Sequence, residues 1–230
     1  MLEITNLSAG YGPATVLHGV TLTVPDGEVV TLAGRNGAGK TTLLRVIMGL
    51  LPATNGNITL GTRVLDGLAP MHRARLGLGF VPDDRGIYAS LTVEEHLQLP
   101  KPTGPGAWTA QQIYEAFPRL SARRSSQGTK LSGGEQQMLS LARVLRMGST
   151  LLLCDEPTEG LAPVVVDEIA ALFHRIKQQG TAILLVEQNL HFATSVADRH
   201  YLIAEGQIQR CMTNEEVKGH ETELLEYLGV

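Results

Sequence analysis

Residues 34–42 read Gly34-Arg35-Asn36-Gly37-Ala38-Gly39-Lys40-Thr41-Thr42, which matches the phosphate-binding loop pattern G-x-x-x-x-G-K-[ST] at every position. A β-branched run from Glu28 to Ala33 precedes it, and a helical pattern from Lys40 to Leu50 follows. In such a unit the glycines let backbone N–H groups close around phosphate oxygens, and the helix adds its positive N-terminal end. The stretch therefore predicts an α/β fold that binds a nucleoside triphosphate.

The residues of this loop have separate expected roles. Lys40 would reach the outer phosphates as a point charge, and Thr41 would place its hydroxyl on Mg²⁺. The other residues expected to line the nucleotide are Asn36, Gly37, Ala38, Gly39 and Thr42. The structural alternative is an ordinary glycine-rich turn between a strand and a helix.

Two acidic residues, Asp155 and Glu156, follow the apolar run Leu151–Cys154. Continuous apolar runs such as this one and Ala182–Val186 are typical of parallel strands that are buried on both faces. Ligands bind at the carboxyl ends of such strands. Asp155 is therefore expected to hold Mg²⁺ and Glu156 to act as general base on the attacking water. The alternative is a pair of solvated acids at a strand end.

Composition limits the classes of protein that fit. The net charge of −4 gives no basic footprint for nucleic acid, so no nucleic-acid partner is expected. Two cysteines, Cys154 and Cys211, are too few for a disulfide framework and indicate a reducing, cytosolic compartment. No apolar run approaches the length of a membrane span, so any membrane role would be peripheral.

The chain also has a proline- and glycine-rich break at 100–106, which predicts a loop inside a helical insert from about Thr92 to Gly128. Alternating residues at Leu2–Leu7 and Val20–Val24 predict strands with one buried face. The order of strands and helices along the chain predicts an α/β core with right-handed crossovers.

A second motif, Leu131-Ser132-Gly133-Gly134-Glu135, opens a helical pattern. With Ser132 as N-cap, the Gly133 and Gly134 amides would be free to face an anion. Together with the phosphate loop, this motif resembles the ATP-binding cassette (ABC) ATPase family, and the pairing of the two is highly specific. A nucleotide kinase would have no reason to carry the motif.

The resemblance implies an α/β, ABC-type nucleotide-binding domain, which has a mostly parallel core sheet, an antiparallel β part and a helical subdomain. One ABC ATPase domain would span residues 1–230. Residues 1–90 and 150–230 would form the RecA-like core and the β part, and residues 91–149 the helical subdomain, ending in the signature helix that Ser132 opens.

The resemblance also implies ATP and Mg²⁺ as ligands and a shared site. Tyr11 would stack on adenine, although an exposed turn tyrosine is the alternative. Ser132, Gly133, Gly134 and Glu135 would contact the γ-phosphate held by a second subunit. Two ATP molecules would then lie between two subunits, and a monomer would hydrolyse ATP poorly.

Three positions depart from the commonest family sequence. Asp83 takes the place of a glutamine that links Mg²⁺ and the attacking water to the membrane partner, and it can still approach Mg²⁺. Gln188 takes the place of the switch histidine, and His191 is a weaker substitute on an expected surface helix. Ala162 stands where an aspartate commonly closes the dimer contact.

These departures narrow the resemblance within the family. Four further runs of sequence resemble the smaller ATPase of branched-chain amino-acid-type importers, a group that includes urea and short-amide systems. The runs are Leu91–Leu97, Gly160–Pro163, Val186–Asn189 and Tyr227–Gly229. The resemblance implies a second, non-identical ATPase, two permease subunits and, indirectly, a solute-binding protein, at the cytoplasmic face of the inner or plasma membrane. A coupling helix of the permease would enter the helical insert near Glu94 and Glu95.

Alternatives remain open at this level. An ABC exporter ATPase fits the same motifs. A non-transport ABC protein of ribosomes or chromosomes fits poorly, since the chain has neither a second cassette nor heptad repeats. A regulator with an inactive site is disfavoured because Lys40, Thr41, Asp155 and Glu156 are all present.

Overall fold

Two β-sheets organise the part of the chain that the structure describes. The computed structural model describes residues 1–104 and 106–218, so the run Tyr227–Gly229 and position 105 of the proline-rich break lie outside the described residues. The strands are β1 (Leu2–Tyr11), β2 (Ala14–Val24), β3 (Val29–Ala33), β4 (Ala53–Leu60), β5 (Arg63–Val64), β6 (Leu78–Val81), β7 (Leu151–Asp155), β8 (Ala182–Val186), β9 (Arg199–Ala204) and β10 (Gln207–Thr213). The helices are α1 (Lys40–Met48), α2 (Pro70–Arg75), α3 (Val93–Gln98), α4 (Ala110–Ala116), α5 (Pro118–Ala122), α6 (Gly133–Met147), α7 (Pro163–Gln178), α8 (Leu190–Val196) and α9 (Asn214–Lys218).

The core sheet has the strand order β10-β9-β3-β8-β7-β6 within the described residues. Its strands are parallel except for β10, which pairs antiparallel with β9. Every residue of β3, β7 and β8 is buried, because one face of the sheet packs against helices that include α6 and α7, and the other packs against α1 and the antiparallel sheet. The mostly parallel α/β core expected from the sequence is confirmed, and β3, β7 and β8 all end at the same edge.

The second sheet is antiparallel, with the described order β2-β1-β4-β5. Its first two strands are longer than the alternating pattern predicts, because β1 continues through Gly10 to Tyr11 and pairs there with the start of β2. A Cβ at Gly10 would lie 1.9 Å from the carbonyl oxygen of Ala14. Glycine at position 10 therefore permits close pairing of β1 with β2, although the composition of the segment Gly10–Gly12 indicates a turn.

The expected helical insert contains α3, α4 and α5 and leads into α6. Three helices of this region begin with a capping box, in which a Ser or Thr and a Glu or Gln three residues later satisfy each other's backbone N–H. The pairs are Thr92 with Glu95, Thr109 with Gln112, and Ser132 with Glu135. Glu95, expected to contact the coupling helix of the permease, thus uses its side chain to cap the start of α3. Glu94, expected at the same contact, lines a separate cavity with Tyr114 and Arg124.

Helix α7 connects β7 to β8 and packs on the core sheet through one face. Ile169, Leu172, Phe173 and Ile176 are buried, as their helical spacing predicts. The helix ends before Gly180, which has a φ of 84° as expected of a C′ residue. Among the described residues, none of the helices is both long and apolar enough to cross a lipid bilayer.

Candidate functional site

The phosphate loop leaves β3 at the carboxyl edge of the core sheet and leads directly into α1. Gly37 and Gly39 have φ values of 81° and 105°, a region that favours glycine over other residues. Gly39 is the N-cap of α1 and makes no side-chain hydrogen bond there. The loop thus ends at a helix N-terminus with backbone N–H groups available to an anion.

Lys40 is folded into its own loop. Its ammonium donates to the carbonyl oxygens of Gly34 at 2.7 Å and Arg35 at 3.1 Å. Only 5% of the residue is exposed, and this burial lowers the pKa of Lys40, while the charges of Glu156 and Asp155 act in the opposite direction. An arriving phosphate would replace neutral carbonyl partners with a charged one, which is a stronger interaction.

A cavity of about 290 Å³ lies over this loop. Its lining includes most of the loop residues expected to contact nucleotide, together with the acid that follows β7; the full set is Val16, Asn36, Gly37, Gly39, Lys40, Thr41, Thr42 and Glu156. Ala38, also expected to contact nucleotide, is not part of this lining; its N–H donates to the carbonyl oxygen of Arg35, and its carbonyl oxygen accepts from the N–H of Gly206. The structure therefore brings Glu156 to the phosphate-binding loop, as its place after β7 predicts.

Asp155, the last residue of β7, is 1% exposed. Within the described residues, neither of its carboxylate oxygens accepts a well-formed hydrogen bond. Burial raises its pKa from 3.8 to about 6; Asp83 and Glu156 add to the effect, whereas Thr41 and Lys40 oppose it. A buried carboxylate without partners is costly unless a cation or donor is supplied.

This arrangement fits Mg²⁺. The described residues contain no cluster of three or more His, Cys, Asp or Glu side chains able to hold a metal alone. Asp155, the Thr41 hydroxyl and Asp83 instead supply an incomplete set of oxygen ligands, which is how Mg²⁺ commonly binds when substrate phosphates and waters complete its shell. The orphaned oxygens of Asp155 are the observation that supports the fit.

Glu156 has an unusual backbone conformation for its residue type. Its φ of 46° lies in the left-handed region, and its N–H donates to the carbonyl oxygen of Val186 at 2.9 Å. Strained residues of this kind concentrate at functional sites. The side chain points toward the phosphate loop, where Oε1 lies 4.0 Å from Nζ of Lys40.

Gln188 lies on the loop that follows β8, and its side chain reaches the Glu156 carboxylate beside the phosphate loop. Its side-chain amide donates to Oε1 of Glu156 at 2.7 Å and to Oδ1 of Asn36 at 3.0 Å. Gln188, expected from the resemblance to stand in the place of a switch histidine, therefore contacts both the expected base and the phosphate loop. His191 is exposed on α8, as the sequence predicts.

Asp83 and Tyr11 open onto a second cavity of about 390 Å³, which borders the first because Thr41 lines both. Tyr11 is 46% exposed, and Arg45 lies 3.5 Å from its hydroxyl. An exposed aromatic ring beside a phosphate site fits a flat purine base. Asp83 accepts a hydrogen bond from the N–H of Asp84 and remains exposed.

The signature residues are not part of either cavity. Among the described residues that line them, none comes from Ser132–Glu135. Ser132 and Glu135 satisfy each other in the capping box, which leaves the amides of Gly133 and Gly134 in the first turn of α6 without intrahelical acceptors. Ala162, at the N-cap of α7, makes no side-chain capping bond.

Two residues near the site escape prediction from sequence. Arg85 extends from the Asp83 loop to Gln136 of α6, 3.4 Å from its Oε1, and Glu187 is buried beside Gln188. Burial raises the pKa of Glu187, although hydrogen bonds from Thr158, Asn189 and Gln188 oppose this. A single acid at the end of a buried strand, such as Glu187 after β8, is the signal that could have identified it.

Comparison with known proteins agrees with this geometry. The ABC transporter family model matches residues 17–159. A high-affinity branched-chain amino acid transport ATP-binding protein, BraG of Pseudomonas aeruginosa, is 38% identical over 216 residues, which cover 90% of this chain and 91% of that protein. The lipopolysaccharide export ATP-binding protein LptB of Escherichia coli K12 is 32% identical over 235 residues, which cover 99% of this chain and 97% of that protein.

A solved structure of an ATP-binding subunit of an ABC transporter superposes with a TM-score of 0.84 at 29% identity and covers the whole of both chains. The match to the family model and these similarities extend over both motifs that define the site. The chain therefore belongs to the ABC transporter family of ATP-binding proteins and is an ABC ATPase.

Proposed function

We propose that this chain hydrolyses ATP as one subunit of a membrane importer for branched-chain or other hydrophobic amino acids. The observation that carries the hydrolytic part is the grouping of Lys40, Thr41, Asp155, Glu156 and Gln188 around the phosphate loop. It combines an anion site, a cation site and a carboxylate in one place, which phosphoryl transfer to water requires.

In this proposal each residue of the chain has one task. The loop amides and Lys40 bind the phosphates of ATP, and Tyr11 stacks on adenine. Asp155, Thr41 and Asp83 would hold Mg²⁺, which when bound neutralises charge on the phosphates. Glu156 accepts a proton from the attacking water, and Gln188 orients Glu156 through the 2.7 Å hydrogen bond.

The site is completed by a second ATPase subunit in this proposal. Ser132, Gly133, Gly134 and Glu135 lie outside the two cavities described above, so in this proposal their helix turn contacts the γ-phosphate of ATP bound by the partner, through the free amides of Gly133 and Gly134. Because Gln188 and Ala162 replace a histidine and an aspartate, we propose that the partner is non-identical. ATPase activity should be low for the purified chain alone and should rise strongly with that partner. Full activity as a homodimer would contradict this part.

Transport is proposed from the similarity to BraG, which extends over nine tenths of both chains. Two permease subunits and, indirectly, a solute-binding protein would complete the importer, with this chain bound peripherally at the cytoplasmic face of the membrane. Residues 91–149 would form the helical subdomain that contacts the permease, and residues 1–90 and 150–230 the RecA-like core and β part.

An exporter ATPase is the second candidate, since LptB is 32% identical over nearly the whole chain. Deletion of the gene in the source organism should abolish ATP-dependent uptake of labelled leucine, isoleucine and valine. Complementation with the wild type, but not with a Lys40→Ala variant, should restore it. Normal uptake together with a defect in the cell envelope would favour export, whereas loss of urea or short-amide uptake would identify a different importer.

A further inference from the structure

Glu187, the first residue after β8, holds two loops together. It is 4% exposed, and its carboxylate accepts four hydrogen bonds. Oε1 accepts from the N–H of Thr158 at 3.1 Å and from its hydroxyl at 2.5 Å. Oε2 accepts from the N–H groups of Gln188 at 3.0 Å and Asn189 at 2.9 Å.

The two loops joined in this way carry Glu156 and Gln188, which contact each other beside the phosphate loop. Thr158 lies on the turn that begins with Glu156, and Gln188 lies on the loop after β8. The backbone of the first turn is already tied to β8, because the N–H of Glu156 donates to Val186. Glu187 adds a second tie that acts on the Gln188 backbone itself.

We infer that Glu187 is a positioning residue for ATP hydrolysis: its carboxylate ties the Gln188 loop to the Thr158 turn and thereby holds the side-chain amide of Gln188 against Glu156. This inference rests on the proposed function of Glu156 and Gln188. The physical reason is that four donors converge on two oxygens, so the carboxylate specifies both loop positions at once. Glu187 itself does not line the cavity over the phosphate loop.

The substitution Glu187→Gln tests this with little change of shape. A glutamine offers one acceptor oxygen and one NH₂ group, so the NH₂ would face either the N–H groups of Gln188 and Asn189 or the N–H and hydroxyl of Thr158, and in both positions at least one N–H donor loses its acceptor. We expect kcat for ATP in the assembled complex to fall at least tenfold while the Kd for ATP changes less than threefold. A loss of ATP binding equal to the loss of kcat would overturn the inference, since a general loss of structure would then explain both.

A double-mutant cycle separates positioning from an independent effect. If Glu187 acts through Gln188, then Glu187→Gln should change kcat by less than twofold in a Gln188→Ala background. Multiplicative losses in the double variant would overturn the inference. Should Glu187→Gln fail to fold, Thr158→Val removes one of the four donors, and the same cycle with Gln188→Ala applies to it.

Asn189→Ala is the matched control. The Asn189 side chain caps α8 by accepting from the N–H of Phe192 at 3.1 Å, whereas its backbone N–H remains available to Glu187. This variant should lower thermal stability but keep kcat within threefold. A tenfold loss of kcat in this control would show that any loosening of the loop suffices and would overturn a specific role of Glu187.

A readout without turnover keeps the inference separate from the proposed function. Hydrogen–deuterium exchange at the amides of Thr158, Gln188 and Asn189 should become at least tenfold faster in Glu187→Gln, while β7 and β8 exchange as in the wild type. Unchanged exchange would overturn the role of Glu187 even in an active enzyme. A wild-type complex that hydrolyses no ATP would instead contradict the proposed function and leave this exchange test decisive for Glu187.

Discussion

The side-chain nitrogen Nε2 of Gln188 lies 2.7 Å from Oε1 of Glu156, across the carboxyl edge of the core sheet. The two residues follow adjacent parallel strands, β7 and β8, and are 32 residues apart in sequence. The same nitrogen donates to Asn36 of the phosphate loop at 3.0 Å. One uncharged side chain thus links the expected base to the loop that would hold the γ-phosphate.

Replacing Gln188 with alanine should slow hydrolysis with little loss of binding. A hydrogen bond to a charged group is worth about 1.5–3 kcal/mol, so we expect kcat of the assembled complex to fall about 10- to 100-fold. Steady-state ATPase assays and equilibrium nucleotide binding measure the two quantities. His191→Ala, on the exposed side of α8, is the control and should retain full kcat. A larger loss in the control would assign the switch role to His191.

Replacing Glu156 with glutamine should separate binding from chemistry. The amide keeps the shape of the side chain but cannot accept the proton of water, so kcat should fall by about 10²–10⁴. ATP should still bind and should now hold the dimer, which size-exclusion chromatography with and without ATP would detect. Undiminished hydrolysis would remove Glu156 from the role of base.

Asp155→Asn should stabilise the nucleotide-free protein in a pH-dependent way. The pKa of Asp155 is raised from 3.8 to about 6, so the folded state binds more protons than the unfolded state between these values. The carboxyl group therefore destabilises the fold progressively as pH rises through this window, by up to about 3 kcal/mol above it.

The measurement is unfolding by urea in the presence of a chelator, from pH 5 to pH 8. The variant should exceed the wild type in free energy of unfolding at pH 7.5 and by less at pH 5, while it loses Mg²⁺-dependent hydrolysis. A constant difference across this range would show that the Asp155 carboxyl titrates normally in the folded protein.

Tyr11→Ala should weaken ATP binding. Stacking of a base on an aromatic side chain is worth about 1–3 kcal/mol, which corresponds to about a 5- to 100-fold increase in the Kd for ATP. Tyr11→Phe keeps the ring and removes only the hydroxyl near Arg45, so its Kd should stay within threefold of the wild type. Equal losses in both variants would show that the hydroxyl, not the ring, supports binding.

Much of the fold can be predicted because its signals are local. The strand–loop–helix unit around Lys40 and the buried runs of β7 and β8 have patterns that a few neighbouring residues define. The extent of β1 is different, because the segment Gly10–Gly12 has the composition of a turn yet pairs through Gly10 and Tyr11 with β2. The pairing of β1 with β2 extends the strand to Tyr11, and the local sequence pattern does not predict this pairing.

Residue types and their spacing were enough to predict the chemical groups of the site: a loop suited to phosphates, a helix start beside Gly133 and Gly134, and acids after a buried strand. These follow from residue type and spacing, which set backbone freedom and charge. Which of these groups contact one another depends on the three-dimensional arrangement of the strands. Parallel pairing of β7 with β8 aligns their ends, so Glu156 lies against Gln188 and Thr158 against Glu187. Contacts between residues about 30 positions apart depend on strand order and register, which residue spacing does not encode.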